Sequence, residues 1–245
     1  AVYARARSTI VVYGMGITQH RHAVDCVRML CNLLLMRGNI GRPGGGICPV
    51  RGHSNVQGQR TVGITEKPEL APLDRLAGQY GFEPPGTKGL DTVGTVEGVI
   101  DGSVRGFIGL GGNFIRAAPE TVRLEEAWRR LRLSVQVATK LNRSHLVCGE
   151  VSLLLPCLGR LERDTQASGD QIVTTEDSTA CIHASFGDHE PAAPTLRSEP
   201  AIVAGIAMAT LEPDPRVPWQ DWVDDYARVR DAIEATYPEQ FRDFN

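Results

Sequence analysis

Residues 8–60 read STIVVYGMGITQHRHAVDCVRMLCNLLLMRGNIGRPGGGICPVRGHSNVQGQR, and the order of elements in this stretch decides the fold. Thr9-Ile10-Val11-Val12-Tyr13 is a short β-branched run, the pattern of a buried strand. It ends at Gly14-Met15-Gly16, where the chain can turn tightly and let a ligand approach the backbone. Past Gln19 a helix is expected, with Val24, Val27, Met29, Leu30, Leu33, Leu34 and Leu35 on a wide apolar face. Gly38 closes it, and Gly41-Arg42-Pro43-Gly44-Gly45-Gly46 excludes regular structure for several residues. Val50 to Arg60 then reads as a polar loop dense in hydrogen-bond donors. Strand, glycine turn and helix in this order place anions on helix N-termini at the C-terminal edge of a parallel sheet.

Outward from this stretch the chain looks like an excerpt. It starts at Ala1, inside an expected helix (Ala1 to Arg7), and stops at Asn245 just after another. With 245 residues, 42% hydrophobic and 22% charged, it has the composition of one large or two modest globular domains. A net charge of −3 without a long basic run argues against nucleic acid. No apolar stretch approaches the roughly 18 residues of a membrane span, and no signal peptide opens the chain. The six cysteines, Cys26, Cys31, Cys48, Cys148, Cys157 and Cys181, form no Cys-x-x-Cys pair, so no zinc or iron–sulfur ligand set is written here. Scattered cysteines in a chain this long indicate reduced core residues and a cytoplasmic setting.

Residues 61–104 lose periodicity, with helices expected only over Leu70–Tyr80 and Thr92–Asp101. A second strand–glycine–helix unit follows: strand 105–110, then Gly111-Gly112-Asn113, then a helix from about Pro119. Strands at 133–137 and 151–155 flank a short helix at 142–147. Alternating β and α with short connections implies a parallel sheet with right-handed crossovers. After Leu158 the chain is irregular, with strands expected at 171–175 and 180–185 and helices at 201–211 and 219–236, the first of them buried. The expected division is 1–60, 61–157 and a mixed tail, 158–245, packing toward a domain outside the chain.

GMGITQ (14–19), GNIGRP (38–43) and PVRGHSNVQG (49–58), in this order around one helix, resemble the molybdopterin-dependent oxidoreductases, specifically formate-dehydrogenase-like alpha subunits of the DMSO reductase superfamily. The resemblance spans nearly the whole chain. It implies an α/β fold of parallel, Rossmann-like units, incomplete at both ends, and a bis-molybdopterin guanine dinucleotide carrying molybdenum or tungsten. It also implies a 4Fe-4S cluster whose cysteines, like the metal-ligating cysteine or selenocysteine, lie upstream of the GMG turn; none of the metal ligands is in this chain. The partners so implied are a small anion, with formate oxidised to carbon dioxide as the favoured reaction, the rest of the subunit, and an electron-transfer subunit. A related enzyme acting on nitrate or another small oxyanion, or a cofactor-binding subunit without catalysis, would share these motifs.

On this resemblance Gly14, Met15, Gly16 and Gln19 hold the pterin or its phosphates, a side-chain amide offering both donors and an acceptor. Gln19 stands where a nicotinamide fingerprint needs its third glycine, so that cofactor is disfavoured. Arg51, in Pro49-Val50-Arg51-Gly52, matches the arginine that orients substrate beside the metal. A planar guanidinium fits a carboxylate, and a buried small anion left unpaired is costly. Gly52, His53 and Gln57 line the same cleft, with His53 standing where some formate dehydrogenases have glutamine. Gly111, Gly112 and Asn113 are assigned to the second nucleotide arm. Gln136, Thr139 and Asn142 are assigned to the guanine, although Val137 replaces the acidic residue many members carry. The carboxylates at Glu162, Asp164, Glu176 and Asp177 are read as solvated rather than catalytic, and His20 and His22 as surface residues.

Overall fold

The computed structural model describes residues 2–245. Its elements run α1 (Val2–Arg5), β1 (Ile10–Tyr13), α2 (Ala23–Met36), β2 (Gly46–Pro49), α3 (Val56–Thr61), α4 (Leu73–Tyr80), α5 (Thr92–Asp101) and β3 (Gly106–Leu110). Next come α6 (Phe114–Ala117), α7 (Thr121–Trp128), β4 (Leu133–Ala138) and β5 (Val151–Pro156). Two short strand pairs follow, β6 (Thr165–Gln166) with β7 (Gly169–Asp170), and β8 (Val173–Glu176) with β9 (Ile182–Ser185). Then come α8 (Glu199–Thr210), α9 (Trp219–Asp224) and α10 (Tyr226–Thr236). The chain divides into two units: residues up to Val62 with Thr174–Ala184, and Gly63–Val173 with Ser185–Asn245. Part of the expected mixed tail thus clusters with the first 62 residues.

In the first unit β1 and β2 pair in parallel, from Ile10 opposite Gly46 to Tyr13 opposite Pro49. Parallel neighbours need a crossover, and α2 supplies it. Buried Asn39 ties the end of this crossover to the start of β1, its Oδ1 accepting from the Thr9 amide at 3.1 Å. Gly45 is required beside it, because a Cβ there would lie 2.7 Å from the Asn39 carbonyl. Two expectations are corrected here. Residues 46–49 are a strand, too short and too rich in Gly and Pro to show alternation, and the expected loop 50–60 turns helical at Val56. The apolar face of α2 is buried chiefly at Leu34, while Val24, Met29, Leu35 and Met36 remain exposed.

In the second unit β3, β4 and β5 form a parallel sheet in that order, with Gly109 opposite Gln136 and Gln136 opposite Leu154. The β–α alternation read from the sequence is therefore a parallel α/β sheet. Its core is built by α5, α6 and α7 through Val96, Val99, Ile115, Leu124 and Trp128, joined by Leu131 and Val147 and flanked by Phe107 and Phe114. Fully burying a Val, Leu or Phe side chain contributes about 1.5–3 kcal/mol. The helix at 92–101 begins where the Asp91 carboxylate accepts from the Gly94 amide at 2.8 Å and ends at left-handed Gly102. The helix expected from Pro119 starts at Thr121 instead, because Glu120 takes φ 58°. The single helix expected over 219–236 is two. Asp225 (φ −152°) interrupts it, and its carboxylate caps α10 through the Ala227 amide at 3.0 Å. The expected burial of 201–211 holds fully only for Ala204 and Ala207.

Candidate functional site

The first unit carries the densest cluster of predicted site residues. Because Tyr13 lies opposite Pro49 and the Val50 amide donates to the Tyr13 carbonyl at 2.8 Å, the chain leaves both strands at one sheet edge. Gly14-Met15-Gly16 follows one strand and Arg51-Gly52-His53 the other. A 3-10 turn, Met15–Ile17, engages the amides of Ile17, Thr18 and Gln19. The Met15 and Gly16 amides have no backbone acceptor among the described residues. A Cβ on Gly14 or Gly16 would meet nothing within 4 Å. The turn is thus an open backbone cradle, and Gln19 extends from it into solvent.

Arg51 and His53 line a cavity of about 390 Å³, whose other walls are Pro49, Val50, Ser54, Asn55, Val56 and Thr175 to Ser178. Arg51 is exposed, and its Nη2 donates to Gln57 Oε1 at 3.1 Å. Gln57 therefore holds the guanidinium rather than lining the cavity; Gly14, Met15, Gly16, Gln19 and Gly52 also lie outside the lining. The wall at 175–178 was missed in the sequence, and no local pattern could have shown it, since it comes from more than 115 residues along the chain. Asp177 in that wall is held well below the usual carboxylate range. The chief cause is a hydrogen bond with His183, joined by Thr179 and Cys181.

In the second unit, Gly111 and Gly112 follow β3 with φ of +69° and +79°, and a Cβ on either would meet nothing within 4 Å. The Gly111 amide is used by the Val137 carbonyl at 2.7 Å, whereas those of Gly112 and Asn113 have no backbone acceptor among the described residues. Asn142 braces this turn: its Nδ2 donates to the Gly112 carbonyl at 2.9 Å, and its Oδ1 accepts from the Ser144 amide at 2.9 Å. Ser144 Oγ also donates to Asn113 Oδ1. Gln136 lies inside β4 rather than at its end. It is only 8% exposed, and its amide shows no hydrogen bond among the described residues. Thr139 stands exposed just past the strand.

Glu162 and Asp164 are engaged in hydrogen bonds within the fold. Glu162 accepts from the Gly159 and Ala192 amides, which hold its carboxyl below the usual range. Asp164 accepts from the buried Tyr226 hydroxyl at 2.6 Å, and burial pushes that phenol well up. His20 and His22 precede α2 with ring centroids 6.5 Å apart. Among the described residues no three His, Cys, Asp or Glu side chains gather as a metal site, all six cysteines are free, and no helix is long and apolar enough to cross a membrane.

Two open glycine turns at the C-terminal edges of parallel sheets, each with two amides that have no backbone acceptor among the described residues, match in kind what a phosphorylated dinucleotide cofactor needs. A sequence profile for molybdopterin oxidoreductases matches residues 2–145, and the chain belongs to that family. The family is named for its molybdopterin cofactor and for redox chemistry. Over 243 residues, 99% of this chain, it is 54% identical to protein YdeP of Escherichia coli. Over 97% of its length it is 48% identical to an uncharacterized oxidoreductase of Mycobacterium bovis. Formate dehydrogenase H of Escherichia coli is 45% identical over 62 residues, 25% of this chain and 9% of that protein. The chain spans about a third (32%) of the length of YdeP.

Proposed function

We propose that the chain is the central cofactor-binding part of a molybdenum or tungsten enzyme that uses bis-molybdopterin guanine dinucleotide and oxidises formate to carbon dioxide. The supporting observation is Arg51, held by Gln57 at the mouth of a cavity on the same sheet edge as the Gly14-Met15-Gly16 cradle. A bound molybdenum or tungsten cofactor would supply the acceptor for the two electrons released when formate becomes carbon dioxide and a proton, with an iron–sulfur cluster as the onward acceptor. Arg51 pairs with the substrate carboxylate and sets its orientation; its charge offsets the desolvation of a small anion. Asp177 does not compete for the guanidinium, because its carboxylate is occupied by Thr179, Cys181 and His183. The amides of Met15 and Gly16, with Gln19, receive pterin or phosphate oxygens; those of Gly112 and Asn113 receive the second nucleotide arm. Gln136, a largely buried residue of β4, supplies a side-chain donor and acceptor for the guanine edge.

A related enzyme acting on nitrate or another small oxyanion is the second reading. His53, a cavity wall residue, and the restriction of formate-dehydrogenase similarity to 25% of the chain favour it. Steady-state assays of the full-length protein, wild type and Arg51→Lys, separate the two. Lysine keeps the charge but loses the planar fork, so kcat/KM for formate falls about tenfold or more. Unchanged formate turnover in Arg51→Lys removes the carboxylate role. Turnover of nitrate without formate transfers the site to the second reading. Metal analysis of the same preparation tests whether the protein is catalytic at all.

A further inference from the structure

We propose that Asn55 is the positioning residue of the Arg51 site: its side-chain carbonyl latches the 174–184 hairpin onto the loop carrying the guanidinium. Asn55 has φ 63° and ψ 17°, the left-handed region that asparagine tolerates better than most side chains. It occupies the cap position of α3, where asparagine usually turns its oxygen onto its own helix, yet no such bond forms. Its Oδ1 instead accepts from the Glu176 amide at 2.9 Å, a partner 121 positions away. A second tie lies beside it, Ser178 Oγ donating to the Pro49 carbonyl at 2.7 Å, two residues before Arg51.

The local geometry leaves little slack. The Asn55 side chain folds over Gly58, where a Cβ would lie 2.1 Å from its Oδ1, so that position excludes any other residue unless the latch opens. The Asn55 carbonyl starts α3 by accepting from the Gln59 amide at 3.0 Å. Gln57, in the turn so fixed, accepts from Arg51 Nη2 at 3.1 Å. The hairpin end is rigid as well. The Asp177 carboxylate gathers the Thr179 amide and hydroxyl, the Cys181 amide and His183 Nε2, all between 2.7 and 3.1 Å. Position is thereby transmitted from hairpin to Asn55, to the first turn of α3, to Gln57 and to Arg51. An exposed arginine loses rotamer freedom when it binds an anion; holding it in place beforehand removes part of that cost. The functional value of the latch rests on the reading of Arg51 as a substrate contact.

The test uses the full-length protein and two readouts besides activity: the rate of phenylglyoxal modification at Arg51, mapped by mass spectrometry, and hydrogen exchange over 50–61 and 174–184. Asn55→Gly keeps the left-handed backbone but removes the acceptor. Arg51 modification and exchange in both segments then rise about threefold or more, the effect of one lost hydrogen bond. Asn55→Asp keeps an acceptor and stays near wild type, and KM for formate rises in Asn55→Gly more than kcat falls. Ser178→Ala, which spares the left-handed residue, moves the same readouts in the same direction and decides the matter if Asn55→Gly does not fold. Wild-type modification and exchange in Asn55→Gly or, failing that variant, in Ser178→Ala overturn the latch, as does an Asn55→Asp protein as perturbed as Asn55→Gly. Absence of formate turnover in the wild type, with the modification pattern as expected, supports the latch and removes only the substrate reading.

Discussion

Replacing Trp128 measures how the second glycine turn is supported. Trp128 is fully buried, with its ring centroid 4.7 Å from that of Phe107 and 6.1 Å from that of Phe114; those two lie 4.9 Å apart. Phe107 belongs to β3, and Phe114 opens α6 immediately after Gly111-Gly112-Asn113, so the indole fills the space behind that turn. Trp→Ala substitutions in cores cost about 3–5 kcal/mol. One term here has the opposite sign. Trp128 Nε1 is buried without a partner, and relieving an unsatisfied donor returns about 1–3 kcal/mol. The lower end, about 3 kcal/mol, is therefore expected for Trp128→Ala, a large share of the roughly 5–15 kcal/mol that holds a domain folded. Trp128→Phe keeps an aromatic ring, removes the orphan N–H, and costs less than about 1.5 kcal/mol. A whole-protein melt would mix domains, so the assay is hydrogen exchange at the β3 and β4 amides. Exchange limited by unfolding of the unit accelerates about a hundredfold in Trp128→Ala and about tenfold or less in Trp128→Phe. Equal acceleration in the two variants, or a change below about tenfold in Trp128→Ala, refutes the packing argument.

Two further outcomes follow from titrating groups. Burial, aided by Glu199 and Glu162, pushes the Cys157 thiol up to about 11, so at neutral pH it reacts with maleimide only when the protein unfolds; labelling under native conditions contradicts this. The Asp177 carboxyl titrates below its ordinary 3.8, so its bonds to His183, Thr179 and Cys181 are fully present above that pH. They are lost as pH falls through the lower folded value. Exchange protection of the Thr179 and Cys181 amides should hold at pH 5 and decline only in stronger acid, whereas Asp177→Ala lacks it throughout; protection lost already at pH 5 counts against the assignment.

What could be read in the letters and what could not divide along a physical line. β1, α2, α5, β3, β4 and β5 carry their own periodicity, and Gly14-Met15-Gly16 and Gly111-Gly112-Asn113 follow strands, so each was recognisable from neighbours a few positions away. β2 escaped because Gly46-Ile47-Cys48-Pro49 has no alternation; pairing with β1 makes it a strand. The break at Asp225 escaped because Trp222, Tyr226, Val229 and Ile233 keep a helical spacing across it, while the deciding event is the Asp225 carboxylate capping a new helix. The Arg51 site shows both situations at once. Its guanidinium and Gln57 lie six positions apart in one motif, but Glu176 and Ser178 reach it from another part of the chain. Such a wall leaves no periodic trace, because one amide and one hydroxyl are enough to form it and almost any residue supplies the amide. Asn55 is the residue where the two kinds of information meet: its left-handed backbone is a local matter, whereas the destination of its oxygen is a tertiary one.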